Sequence, residues 1–212
     1  MNCCQCQGIE DLFNEKVAAK ELAHYQAKGP DTTTRMLIEA IRSQGIEGLS
    51  LLDIGGGVGG IQHALLDAGV QSVVDVDASQ AYLRAAQQEA RRRGFSERIR
   101  FLHGNFVDLA GQIDSADIVT LDRVICCFPD MENMVRLSAA RARKFYGLVY
   151  PRDTWWAKIG VTVLNVFFRL RKSPFRTFVH PTQGVEALVN RQGLRRRFTR
   201  QTLFWQVVLY AR

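Results

Sequence analysis

Leu51-Leu52-Asp53-Ile54-Gly55-Gly56-Gly57-Val58-Gly59-Gly60 is the stretch from which the rest of the chain can be read. Leu49 to Ile54 is a short apolar run, suited to a strand buried on both faces. The glycines that follow allow positive φ and a close approach of backbone to ligand. GVGGIQHALLDAG then predicts a glycine turn opening a helix that stops at Gly69. Amides at such a helix start favour negative groups. Downstream, VQSVVDVDAS at 70–79 reads as a second strand ending in acids, and QAYLRAAQQEARRRGF as an amphipathic helix stopped by Gly94. RIRFLHGNF is a third strand, ADIVTLDRVICCF a fourth strand with its loop, DMENMVRLSAARARKF a helix and YGLVYPRD a fifth strand. Alternation of this kind over 49–150 calls for a parallel sheet with right-handed crossovers and helices on both faces. Ligands of such sheets bind beyond the carboxyl ends of the strands.

Upstream, residues 9–27 predict a helix, KGPD at 28–31 breaks it, and 32–44 resumes it until Gly45. Residues 1–48 are expected to form a helical lid before the main domain at 49–212. Past the fifth strand, 154–172 is strongly apolar with a basic end, 180–193 reads as a helix, and LRRRFTRQ and TLFWQVVLYAR read as two β segments. The expected fold is a three-layer α/β/α, Rossmann-like, doubly wound and mostly parallel sheet. An antiparallel C-terminal strand closes it, and 154–180 is an apolar insertion. The chain of 212 residues is 47% hydrophobic and 23% charged, which suits one globular domain with a real core. A net charge of +7 leaves nucleic acid or an anionic surface open, but the Arg residues are spread over several elements. No secretory leader or bilayer-spanning run is visible, so a cytoplasmic location is expected. The five cysteines are expected to be thiols there. Cys3, Cys4 and Cys6 lack the His or C-x-x-C partners of a zinc site and read as a tail, and no metal is expected.

Two glycine patterns fit the loop. Gly55, Gly57 and Gly60 match the dinucleotide fingerprint G-x-G-x-x-G. Asp53 with Gly55, Gly57 and Gly59 gives D-x-G-x-G-x-G, which resembles motif I of the class I S-adenosylmethionine-dependent methyltransferases. Asp53 favours the second, because an acid at the strand end would meet a pyrophosphate badly and suits an ammonium. The resemblance covers 49–150 and implies S-adenosyl-L-methionine as cofactor. It implies that Asp77 accepts the ribose hydroxyls, with Asp75 as its competitor. It also implies that Asn105 and Phe106 hold adenine and that Asp122 faces the reacting methyl. Tyr25 and 28–35 are placed at the methionine end. An acceptor that must lose a proton needs a base, for which Asp122 and His180 are the candidates. Arg123 reads as a solvated loop charge, and Cys126 and Cys127 as small packing residues. An NAD(P)-dependent oxidoreductase remains an alternative, although no Tyr is followed four residues on by Lys. A non-catalytic Rossmann module that binds a partner is another. An Asn- or Asp-Pro-Pro-Tyr sequence after the fourth strand, typical of enzymes acting on nucleic-acid bases, is absent, and no nucleic-acid partner is expected.

The C-terminal third, with FRTFVHPTQGVEALVNRQGLRRRF and the closing QTLFWQVVLYAR, resembles the magnesium-protoporphyrin IX O-methyltransferases. It differs from them at DRVICCFPD, where a loop with His and Tyr before proline is expected. Together these readings imply methyl transfer by in-line displacement to a small, lipophilic acceptor, with O-methylation favoured. Trp155, Trp156, Arg169, Arg171 and Lys172 also suit peripheral membrane contact through 154–172.

Overall fold

Seven strands and nine helices are formed by residues 4–212, which the computed structural model describes, with side chains from Gln7 onward. Cys3 lies outside the described residues, as do the side chains of Cys4 and Cys6. In chain order the elements are α1 (Cys4–Leu12), α2 (Glu15–Lys28), α3 (Thr32–Arg42), β1 (Ser50–Ile54), α4 (Gly60–Asp67) and β2 (Ser72–Asp77). Next come α5 (Gln80–Arg93), β3 (Ile99–His103), α6 (Phe106–Leu109), β4 (Ala116–Asp122) and α7 (Met131–Ala140). The chain ends with β5 (Ala142–Pro151), α8 (Trp155–Leu170), α9 (Thr182–Arg191), β6 (Arg195–Gln201) and β7 (Trp205–Ala211).

The strands form one sheet in the order β3-β2-β1-β4-β5-β7-β6. β1 to β5 pair in parallel, and β7 runs antiparallel to both β5 and β6. The expected Rossmann-like sheet with an antiparallel C-terminal strand is therefore present. It is not closed by that strand: β7 is wedged inside, and β6 forms the outer edge. The reason is burial. β7 is apolar and buried along its length, whereas β6 reads RRRFTRQ and is almost wholly exposed.

Side-chain alternation divides the core into two halves. Leu51, Ile118, Val149 and Val207 face α3 and α4, with Leu37, Ile41 and Leu65 packed over them. Leu52, Val119, Leu148 and Val208 face the other way, against Val135 of α7 and Val185 and Val189 of α9. Of the residues expected to form a lid at 1–48, those of α3 belong to this packing. The helix expected over 9–27 is broken at Phe13–Asn14, where the Asn14 side chain caps α2 by accepting from Lys16 and Val17 N–H. α2 is clamped to α5 through buried Glu89, which accepts from Gln26, Arg92 and Arg93. The Arg92 hydrogen bond leads in drawing the Glu89 pKa down to about 2.

Candidate active site

β1 and β4 are neighbours whose following helices leave to opposite faces, so a crevice opens beyond their carboxyl ends. A cavity of about 840 Å³ lies there. Its walls include the glycine loop, the ends of β2 and β4, the α1–α2 pair and Trp205. Asp53, Gly55, Gly57, Asp77, Asn105, Phe106, Asp122 and Tyr25 all line it. Gly59 and His180 do not.

The glycine loop is shaped by what lies beneath it. Gly57 has φ 58°, a left-handed conformation that a side chain would strain, and its N–H donates to Asp77 Oδ2 at 3.1 Å. At Gly56 a Cβ would fall 2.6 Å from Asp75 Oδ1 and 2.5 Å from Gln62 Nε2, so no larger residue fits. The loop thus closes over a buried polar group. Strand register explains that group: Asp53 pairs with Asp75 across β1–β2 and with Thr120 across β1–β4. Thr120 accordingly donates to Asp53 Oδ1 at 2.7 Å, leaving Asp53 Oδ2 and both Asp75 oxygens without a partner among the described residues. Burial pushes Asp53 up to about 7 and Asp75 well above the carboxylate range, each further raised by the acids beside it.

Asp77 ends β2 with its carboxylate held by the Gly57 and Ser79 amides, at 3.1 and 2.8 Å. Burial raises its pKa to about 6 in spite of those bonds. Between the two acids weighed for the ribose, geometry separates them: Asp77 reaches the cavity and Asp75 lies beneath the loop. The Asn105 oxygen accepts from Val107 N–H at 3.1 Å, so it caps α6 as well as facing the cavity. Phe106 borders the cavity yet is packed in the core, with the Arg141 guanidinium 5.8 Å from its ring centre. Tyr25 is buried, stacked with His63 at 6.0 Å. Burial lowers the His63 pKa to about 4, so this ring is neutral.

Asp122 accepts from Thr34 Oγ1 at 2.5 Å and from Arg123 Nε at 3.2 Å, and burial raises its pKa. Arg123, read as a solvated loop charge, keeps 40% of its side chain exposed and is also engaged. It lines the cavity at φ 61° and also bridges to Asp31 at 2.9 Å, joining the β4 loop to the turn before α3. Thr34 and Asp31 lie in the 28–35 stretch expected at the methionine end, but neither the Thr34–Asp122 bond nor this bridge was foreseen, because the partners lie far off in sequence. Cys126 is buried, as expected of a packing residue, and Cys127 borders the cavity. The Cys126 thiol is pushed far up by its hydrogen bond to Cys127 and by burial, which disfavours its thiolate. His180 stands apart from the expectation of a base. Its Nε2 lies 2.8 Å from Ile125 O and 3.1 Å from Phe128 O, so it carries the proton and ties down the loop after β4. Among the described residues no cluster of His, Cys, Asp and Glu could hold a metal ion.

Residues 52–145 match the family model of a methyltransferase domain. The chain carries a methyltransferase domain. Around this domain the whole chain follows a known architecture. The magnesium protoporphyrin IX methyltransferase from Synechocystis PCC 6803, solved with bound SAH, matches at TM-score 0.74 and 18% identity, over 98% of this chain and 99% of that one. An O-methyltransferase family protein from Burkholderia thailandensis matches at 0.68 and 16%, over 96% of this chain and 62% of that one. An O-methyltransferase family 2 protein from Planctomyces limnophilus, in complex with apigenin, matches at 0.61 and 13%, over 87% and 62%. At these identities the likeness is one of fold. No curated protein matches the sequence significantly. S-adenosyl-L-methionine is the methyl donor of this domain class. The residues fit it: the methyltransferase domain has an acid with one unpartnered oxygen beneath the glycine loop, and a second carboxylate at the cavity end of β2.

Proposed function

We propose that the protein transfers a methyl group from S-adenosyl-L-methionine to an oxygen of a small, lipophilic acceptor. The observation that carries this reading is the composition of one cavity. Carboxylates and glycine amides line its sheet side, and Ile9 of α1, Val17 of α2 and Phe13 between them, with Phe128, Met134 and Trp205, supply apolar walls. The cofactor supplies a methyl group already activated by its sulfonium. Asp77 and the glycine loop would hold its ribose, Asn105 and Phe106 its base, and Asp53 and Tyr25 its methionine end. The protein's main contribution is then to orient donor and acceptor and exclude water. Asp122, kept in place by Thr34 and Arg123, is the carboxylate positioned to take a proton from the acceptor. Two fold neighbours named as O-methyltransferase family proteins support oxygen as the accepting atom. A reducing, cytoplasmic setting suits Cys126 and Cys127, whose sulfurs lie 3.9 Å apart and are not joined as a disulfide.

Calorimetric titration with S-adenosyl-L-methionine and S-adenosylhomocysteine tests the reading, with NAD(P)H as control. Micromolar binding is expected. Asp77→Ala should weaken it at least tenfold, about 1.4 kcal/mol or more, since two charge-assisted hydrogen bonds are lost. Binding of NAD(P)H alone would turn the glycine loop into a dinucleotide site.

A further inference from the structure

Helix α8 has one face built into the protein and another that nothing in the described chain covers. On the inner face Ala157 and Val161 are buried. Beside them the Asn165 amide makes two bonds to the Thr177 backbone, at 2.8 and 3.0 Å. On the outer face Trp155, Ile159, Val163, Val166 and Leu170 recur at three- and four-residue spacing and form one apolar stripe. Trp155 is 74% exposed and Leu170 78%. Leu203, 80% exposed in the β6–β7 turn, lies near the foot of the same helix. There Trp156 meets Phe204 at 6.1 Å, and Arg152 donates to Thr202 O at 3.2 Å.

Charge selects the occupant. Residues 155–172 contain Lys158, Arg169, Arg171 and Lys172 and no acid. Lys158 meets Asp153 at 2.6 Å, and Arg171 lies 4.2 Å from the Phe167 ring centre. Arg169 and Lys172 have no carboxylate partner among the described residues. A second copy of this stripe offers no acid to the cations at the C-terminal end of α8, so pairing two copies on it would leave them unmatched. An anionic bilayer satisfies both features, taking the apolar stripe at the acyl boundary and the cations among its headgroups. The helix has 16 residues, about 24 Å at 1.5 Å per residue, and no helix in the described chain is long and apolar enough to cross a membrane. It would lie along the surface.

We propose that α8, with Leu203, docks this protein on an anionic membrane surface. Docking also bears on the acceptor, a point that rests on the lipophilic-acceptor reading above. Thr177, held by Asn165, donates its hydroxyl to Cys126 O at 3.1 Å, and Phe178 N–H reaches the same carbonyl at 2.7 Å. Thr177 and Cys126 both line the cavity. One wall of the cavity is therefore hung from the helix that meets the lipid, so an acceptor dissolved in the bilayer is met at its surface.

The test is co-sedimentation of the full chain with vesicles of phosphatidylcholine, alone or mixed with phosphatidylglycerol. Binding to the mixed vesicles is expected, at least roughly tenfold stronger than to phosphatidylcholine alone and weakened by salt. The double variant Ile159→Asp, Leu170→Asp should abolish it. Arg169→Gln with Lys172→Gln should weaken it about fivefold for each cation removed. All four positions are exposed, and unchanged S-adenosylhomocysteine binding confirms that the variants fold. Equal binding to both vesicle types, binding to neither, or binding untouched by these substitutions would overturn the proposal. So would a dimer that dissociates on Leu170→Asp, which makes the face an interface between copies. Vesicle binding by a protein that takes no S-adenosyl ligand would sink the methyltransfer reading and leave the docking intact.

Discussion

Asp53 and Asp75 occupy opposed positions on neighbouring parallel strands, in a space too tight for a side chain at Gly56. Both carboxyls bind a proton more firmly in the folded protein than in the unfolded chain. The ligand-free protein is thus most stable below the ordinary carboxylate pKa of 3.8, as far as these groups decide it, and loses that advantage as pH rises toward about 7. The slope is at most about 1.4 kcal/mol per pH unit for each group. Asp75→Asn, which cannot ionise, is expected to flatten the fall, with the largest gain over wild type on the alkaline side; urea unfolding between pH 5 and 8 measures it. Asp77 acts in the opposite sense on binding. Its pKa of about 6 means that it becomes a full acceptor for hydroxyls only above that pH, so cofactor affinity should drop on acidification through pH 6. Asp77→Asn should remove that dependence, and a wild-type affinity flat from pH 5 to 8 would contradict the assignment. The identity of Asp77 as the cavity-facing acid was legible from its place at the end of an alternating strand. The Thr34–Asp122–Arg123–Asp31 chain was not, since each link joins residues from different elements and leaves no periodic trace.

At the scale of elements, helices and buried strands could be read from apolar spacing, and the errors fall where polar residues hide the period. The segment ARARKF was read as the tail of α7, yet β5 already begins at Ala142. Arg143 and Lys144 point to solvent from that strand, and Arg141 anchors the helix end by donating to Ile113 O at 3.1 Å. The single helix expected over 9–27 failed for a related reason, because an Asn that caps a new helix looks like any polar residue on an exposed face. His180 shows how far a motif can mislead at this scale. It begins the segment leading into α9 and faces two carbonyls of the loop after β4, an arrangement that holds two elements together. Replacing it with Ala takes this donor from the Phe128 carbonyl and leaves the Ile125 carbonyl only its bond from Phe128 N–H, at 3.2 Å, at a cost of about 1–3 kcal/mol. The expected result is a lower Tm with the pH profile of turnover at saturating acceptor unchanged. A loss of turnover confined to the alkaline or acid limb would restore His180 as a proton carrier.

For the whole molecule, the β-α alternation and the glycine loop revealed the sheet and the cavity before any coordinate did, because a parallel sheet needs buried strands and crossover helices in sequence. What composition concealed was where its surplus charge goes. Part of the net +7 sits in β6, where Arg195, Arg196, Arg197 and Arg200 occupy the outermost strand, and among the described residues only Arg196 of these meets an acid, Glu186, at 3.6 Å. A strand whose outer edge is unpaired can seed edge-to-edge pairing between molecules, and a row of like charges resists it. The antiparallel insertion of β7 leaves this strand, and no other from the C-terminal part, at the border of the sheet. Its arginines then act as gatekeepers against aggregation. Changing Arg195, Arg197 and Arg200 to Thr should leave cofactor binding and Tm near wild type and raise light scattering on incubation at high concentration. The positive charge that first suggests a polyanionic partner is, along this edge, a means of keeping copies of the protein apart.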